Sequence, residues 1–189
     1  MGMEQLPCDA PVLRWGIKRS FISYLSRLPD GSVSADAGAS IVSGSYFQFA
    51  PDGGGLAGEA RSPADPRTAE DPTPAGIGTA GIRRFRGQVR LSGHHGMMSL
   101  FVADPWLEFD AEGAVLSVAD PGQAPGSGAR LEVLQLAVPK VAGTQVAGPE
   151  AAGTGWTELP AQLAPAAVDL FNGQYAAGEE MDPVFLGPA

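Results

Sequence analysis

Residues 85–109 read FRGQVRLSGHHGMMSLFVADPWLEF. Val89 and Leu91 alternate with Gln88, Arg90 and Ser92, and Met98, Leu100 and Val102 repeat at the same spacing of two. An extended chain sends successive side chains to opposite faces, so this period marks strands with one buried face. Gly93 to Gly96 supplies turn chemistry between the two runs, and Asp104-Pro105 ends the second. The stretch predicts strands at Phe85–Leu91, Met97–Val102 and Trp106–Phe109, joined as a meander.

The pattern continues on both sides. Ala114–Val118 and Leu131–Val138 read as further strands, bounded by Glu112-Gly113 and Pro121 to Gly128. Ile41–Phe49 reads as a strand rich in aromatic β-formers, and Tyr175–Leu186 runs through Asp182-Pro183 into a last one. Two segments read as helix. In 9–28, Leu13, Ile17, Phe21, Tyr24 and Leu28 recur at steps of three or four; Asp9 and Pro11 suit its start and Pro29-Asp30-Gly31 its end. A shorter helix is expected at Pro165–Phe171, stopped by Asn172-Gly173. Residues 50–80 hold Gly, Pro, Ala, Asp and Thr with almost no large apolar side chain, and 142–155 form another Gly/Ala-rich connection. The expected fold is mainly β: an antiparallel β-sandwich or meander with two short helices, one domain over 9–187 with a long Gly/Pro-rich loop at 50–80. The 26 glycines and 17 prolines among 189 residues agree, since they favour turns over long helices.

Charge and composition exclude several roles. A net charge of −9 argues against a nucleic-acid partner, because phosphate binding needs a basic surface. No apolar run approaches the roughly 18–20 residues of a membrane span. Cys8 is the only cysteine, so no internal disulfide or multi-cysteine metal site can form. Met1 to Leu6 shows neither a basic nor an apolar leader region, which fits a cytoplasmic protein or one whose leader has been removed.

Catalytic signatures are missing. Gly53-Gly54-Gly55 lacks the Gly-Lys-Ser/Thr ending of a phosphate loop, and no Gly-x-Ser-x-Gly elbow occurs. His94 and His95 are the only histidines. The Gly93-His94-His95-Gly96 turn could present one imidazole to a pocket, or simply bond its own backbone. Tyr24, on an apolar helical stripe, reads on pattern alone first as a core tyrosine with its hydroxyl satisfied, and second as a ligand. Residue patterns alone leave both open, and an enzyme is not expected.

Three stretches together resemble the HtaA domain, the haem-transport-associated module of bacterial haem uptake. The first is Leu13-Arg14-Trp15-Gly16-Ile17-Lys18-Arg19-Ser20-Phe21-Ile22-Ser23-Tyr24. The second runs from Phe85-Arg86-Gly87 through Gly93-His94-His95-Gly96 to Ala103-Asp104-Pro105. The third is Gly173-Gln174-Tyr175-Ala176-Ala177-Gly178, continuing to Asp182-Pro183-Val184. They keep the family's order and span residues 12–185.

The resemblance implies a haem-binding module that captures ferric haem b and passes it to other haem-uptake proteins, in the cell envelope. It implies that Tyr24 is the axial ligand of the iron, that His94 hydrogen-bonds the phenolate, and that Tyr175 lines or supports the pocket; His95 falls on the family's variable position. Tyrosine is an established haem ligand, and its anionic oxygen favours ferric iron. Ile17, Phe21, Met97, Met98 and Phe101 are candidate walls for a porphyrin, although any could be core. Lys18, Arg19 and Ser20 are candidates to meet the propionates. The alternatives are a structural or adhesive β-domain that kept the scaffold without the ligand, and a haem-handling enzyme.

Overall fold

The computed structural model describes residues 11–52, 81–109, 113–124, 126–138 and 156–188. The Asp9 cap, Cys8, most of the 50–80 loop and the 142–155 connection lie outside them. Among the described residues, twelve strands are arranged in two antiparallel sheets. In chain order they are β1 (Val12–Trp15), β2 (Ser32–Asp36), β3 (Ala39–Val42), β4 (Tyr46–Pro51), β5 (Gly81–Arg86), β6 (Gln88–Gly93), β7 (Met98–Ala103), β8 (Trp106–Phe109), β9 (Ala114–Ala119), β10 (Arg130–Leu136), β11 (Thr157–Leu163) and β12 (Glu180–Gly187).

The larger sheet runs β1-β12-β11-β10-β9-β8-β5-β4, and β4 returns to pair with β1. Eight strands thus close into a barrel, with β3 hydrogen-bonded beside β4 as an appendage. A sandwich was expected, and the correction comes from β1. Its residues Leu13 to Trp15 pair with Leu186 to Val184 on one side and with Phe49 to Phe47 on the other, so the sheet has no free edge at this seam. Closure removes the unpaired N–H and C=O groups that an open edge presents. An eight-stranded barrel is just wide enough for side chains to fill it. Trp15, Phe47, Phe49, Leu107, Leu116, Leu134 and Leu159 are fully buried within one continuous core. Each stabilises the fold by about 1.5–3 kcal/mol.

β1 also corrects the helix expected over 9–28. The steps of three and four are real, but Leu13 and Trp15 serve a strand instead. The chain then turns at Ile17, whose φ of 57° belongs to neither a strand nor a right-handed helix. Only Arg19–Leu25 is helical (α1). Seven residues do not hold a helix in isolation. Packing does so here, with Ile22 and Leu25 buried against the core. The second helix, expected at Pro165–Phe171, is two 3-10 turns, Pro165–Ala167 and Asp169–Phe171, ended by left-handed Asn172 and Gly173.

The smaller sheet is β2-β6-β7. It grows from the barrel because the β5–β6 and β7–β8 runs cross from one sheet to the other at a shared bend. Gly87 and Asp104 face each other there: Asp104 N–H donates to the Gly87 carbonyl (2.9 Å), and Gly87 N–H donates to Asp104 Oδ1 (3.0 Å). Gly87 has φ 139°, and a Cβ on it would lie 2.4 Å from the Ala39 nitrogen, so no other residue fits. Arg130 pins the same bend. Its guanidinium donates to the carbonyls of Asp104 and Ser117 (both 2.7 Å) and lies 4.1 Å from the Trp106 ring; burial pushes its pKa down to about 10.

Other strand boundaries differ in detail. Ile41–Phe49 is a hairpin, broken by positive φ at Ser43 and Gly44. The last strand begins at Glu180, after a turn that carries Tyr175. Two strands had no expectation. β2 is polar and small, and pairs along one side only, with β6. β11 alternates buried and exposed residues throughout, with Pro160 at a break in the β11–β12 register.

Candidate functional site

The barrel interior is occupied by its own side chains, and the candidate tyrosine and histidine lie outside it, where α1 meets the β6–β7 turn. Gly93 ends β6 without a side chain, and a Cβ there would lie 2.8 Å from Leu28 Cδ1 and 2.9 Å from Leu25 Cδ2. Its absence lets the end of α1 close directly onto the turn. His94–Gly96 then forms a 3-10 turn in which His94 and His95 both have positive φ, 53° and 56°.

This conformation turns His94 toward the helix. Its Nε2 lies 2.6 Å from the Tyr24 hydroxyl, a hydrogen bond whose donor depends on the imidazole tautomer, and the two rings are 5.9 Å apart. The residues are 70 apart in sequence. Tyr24 is no core tyrosine, since it is 43% exposed. Met97, at the end of the same turn, is 78% exposed and donates its N–H to the His94 carbonyl (3.1 Å). The turn that carries the imidazole thus also carries an exposed apolar side chain.

One helical turn before Tyr24, Ser20 lies near the Tyr175 hydroxyl. Burial raises the Tyr175 pKa, the neighbouring Ser20 side chain works against this, and the nearby carboxylates of Glu179 and Asp182 add to the rise. Phe171 meets the Tyr175 ring edge-on at 5.6 Å. Lys18 Nζ sits 5.2 Å from the ring centre, donates to the Glu180 carbonyl (2.6 Å) and pairs with Glu179 (3.8 Å). Ser20 and Tyr24, four apart on α1, thus lie one above the other, with Tyr24 bonded to His94 and Ser20 near Tyr175.

The other sequence candidates divide. Arg19 is drawn to Asp182, which accepts from both its backbone N–H and its guanidinium, and it stacks 5.2 Å from the Tyr46 ring. Lys18 and Arg19 therefore tie α1 to the start of β12. Phe21 is half-buried against the core, and Ile17 is fully buried and forms no wall. Met98 is half-buried, while Phe101 packs with Arg90 (4.5 Å) and lines a 620 Å³ cavity with Trp106 and Arg130. His95 points away, with its side chain 92% exposed.

Sequence reasoning passed over two acidic residues here. Asp182 was seen only as part of an Asp-Pro turn, and Asp30 only as a helix stop. Asp30 Oδ2 accepts the His95 N–H at 2.5 Å, and this bond is the first cause of its lowered pKa. A partner 65 residues away leaves no local signal. Among the described residues, no group of three or more His, Cys, Asp or Glu side chains is placed to hold a metal ion, and no helix is long and apolar enough to cross a membrane.

A profile of the HtaA family matches residues 11–186. The chain belongs to the HtaA family. Solved structures carry the same HtaA fold. The N-terminal domain of HtaA from Corynebacterium glutamicum superposes with a TM-score of 0.62 at 19% identity, covering 96% of this chain and 98% of that one. The haem-binding protein HtaB from the same organism gives 0.60 at 16% identity, covering 93% and 90%. The C-terminal domain of that HtaA gives 0.56 at 18% identity, with 94% of each chain covered. No curated protein sequence matches it significantly.

Proposed function

We propose that this HtaA domain captures ferric haem b and passes it on, with Tyr24 as the axial ligand of the iron and His94 as the partner of the phenolate. The observation that carries the reading is the 2.6 Å contact between an accessible tyrosine hydroxyl and an imidazole nitrogen, in a chain of this family. HtaB, which shares the fold, is a haem-binding protein, and this supports the choice of ligand.

The residues present fit the group. A phenol needs exposure to reach an iron centre, and Tyr24 has it. A flat apolar macrocycle needs exposed apolar surface, and Met97, exposed on the same turn as His94, offers some. Bound ferric iron supplies a hard cationic acceptor for an anionic oxygen. His94 Nε2 is placed to hold the proton that the phenol gives up, and as a donor it then steadies the oxygen. The same bond gives a route to release, because a histidine that turns away leaves the phenolate without its support.

Ser20 is the propionate partner of choice, because Lys18 and Arg19 are already committed to Glu179 and Asp182. Tyr175 supports the pocket from beside Ser20. Capture and transfer require no group transfer, so the protein acts as a binding module rather than a catalyst, and on this reading it works in the cell envelope. Titrating the purified protein with hemin and recording the visible spectrum tests the proposal. A saturable ferric tyrosinate spectrum is expected, lost in Tyr24→Ala. An unchanged spectrum in that variant overturns the assignment, and no saturable change in the wild type marks a structural domain.

A further inference from the structure

The turn that carries His94 is an unfavourable one for its residues. Left-handed backbone crowds the Cβ of any residue except glycine, and here two consecutive histidines adopt it. Such a conformation persists only where its surroundings fix it. Within the turn, Met97 N–H bonds the His94 carbonyl. From outside it, among the described residues, two side chains reach in: Tyr24 to the His94 ring, and Asp30 to the His95 N–H.

We propose that Asp30 is a positioning residue of the haem site, which holds the left-handed His94–His95 backbone through the His95 N–H and so aims His94 Nε2 at the Tyr24 hydroxyl. This inference rests on the haem reading above and extends it.

Both anchors come from one short stretch. Tyr24 lies in the last turn of α1, and Asp30 lies in the turn that leaves it. Gly31 fixes that turn: a Cβ on it would lie 1.9 Å from the Leu25 carbonyl oxygen, and its N–H donates to the Leu28 carbonyl (3.2 Å). Leu25 and Leu28, packed over Gly93, bring the helix end against the histidine turn. The histidine turn is therefore gripped at two points, one on a side chain and one on the backbone. With Asp30 removed, one grip is lost and the ring can swing. The lowered pKa of Asp30 is consistent with a carboxylate that accepts this N–H.

The test uses the whole chain, with and without hemin. In the ligand-free protein, 15N NMR of the imidazoles reads the His94 tautomer. One fixed tautomer is expected in the wild type and in Asp30→Asn, whose side-chain oxygen can accept the same N–H. An averaged signal is expected in Asp30→Ala. With hemin, Asp30→Ala should bind about tenfold more weakly, the lower end of the effect of removing an outer partner of a metal ligand. Asp30→Ala added to His94→Ala should cost nothing further. A wild-type tautomer and wild-type affinity in Asp30→Ala overturns the inference, as does a loss fully additive with that of His94→Ala. Should Asp30→Ala not fold, Asp30→Glu decides, since it keeps the charge but moves the acceptor by one methylene: a shifted tautomer supports the inference and a wild-type one overturns it. If hemin binding is indifferent to Tyr24→Ala, the haem reading fails, and the ligand-free NMR still judges Asp30 separately.

Discussion

The barrel and the α1–histidine turn obey opposite rules. In the barrel, Trp15, Phe47, Leu107 and Leu116 are sealed from solvent and set in regular strands. At the turn, Tyr24 and Met97 are open to solvent and His94 and His95 take unfavourable backbone angles. The first region is built for stability alone. The second accepts strain and exposed apolar surface, which a protein maintains only where a rigid scaffold holds them and where they serve a purpose. On the proposed reading, binding chemistry is carried by what is attached to the barrel, and the barrel contributes a fixed frame.

Mutations can break that contrast from either side. The largest effect on binding is expected from Tyr24→Ala, which should abolish the saturable hemin spectrum, while thermal unfolding stays close to wild type because the side chain is already 43% exposed. Leu116→Ala should do the reverse. It leaves a cavity in the sealed core and should cost about 2–5 kcal/mol in denaturant unfolding, with the hemin spectrum of the folded fraction unchanged. A spectrum that changed in Leu116→Ala would show the two regions to be coupled. His94→Ala comes next: hemin affinity should fall by about 10–100-fold in a fluorescence-quenching titration, with the ligand spectrum altered rather than lost.

The smallest effect concerns pH. The Asp30 carboxyl has a folded pKa below its unfolded value, so its contribution to stability is present above the ordinary carboxylate range and is lost as pH falls through the folded value. The difference in melting temperature between wild type and Asp30→Asn should therefore shrink on acidification below that range. A difference that grew with acidity would contradict the His95 bond as its origin.

The β6 and β7 strands were legible because Val89, Leu91, Leu100 and Val102 alternate cleanly. The β1 strand was not, because Leu13, Ile17 and Phe21 also satisfy a helical period, and only pairing with β4 and β12 decides the matter. Pro160 hid β11 in the same way, since a proline in mid-strand argues against one until the register break is seen. Barrel closure could not be read locally either, as it depends on contacts between the two ends of the chain. Of the candidate site, one contact was legible: resemblance singled out Tyr24 and His94, and the fold sets them 2.6 Å apart. The roles of Lys18, Arg19 and Asp30 were hidden, because their partners lie 162, 163 and 65 residues away.

The seam at β1 has a consequence for the order of assembly. The strand leading into α1 is clasped by β12, which is made long after it, and Lys18 and Arg19 wait for Glu180 and Asp182. A nascent chain that has not yet reached β12 would have Tyr24 in place in sequence but would lack one of the two strands that hold the segment leading into α1. Contacts of such wide separation form slowly. The Tyr24 hydroxyl is thus made well before the strand that completes the frame around α1, so on the proposed reading haem capture waits for β12.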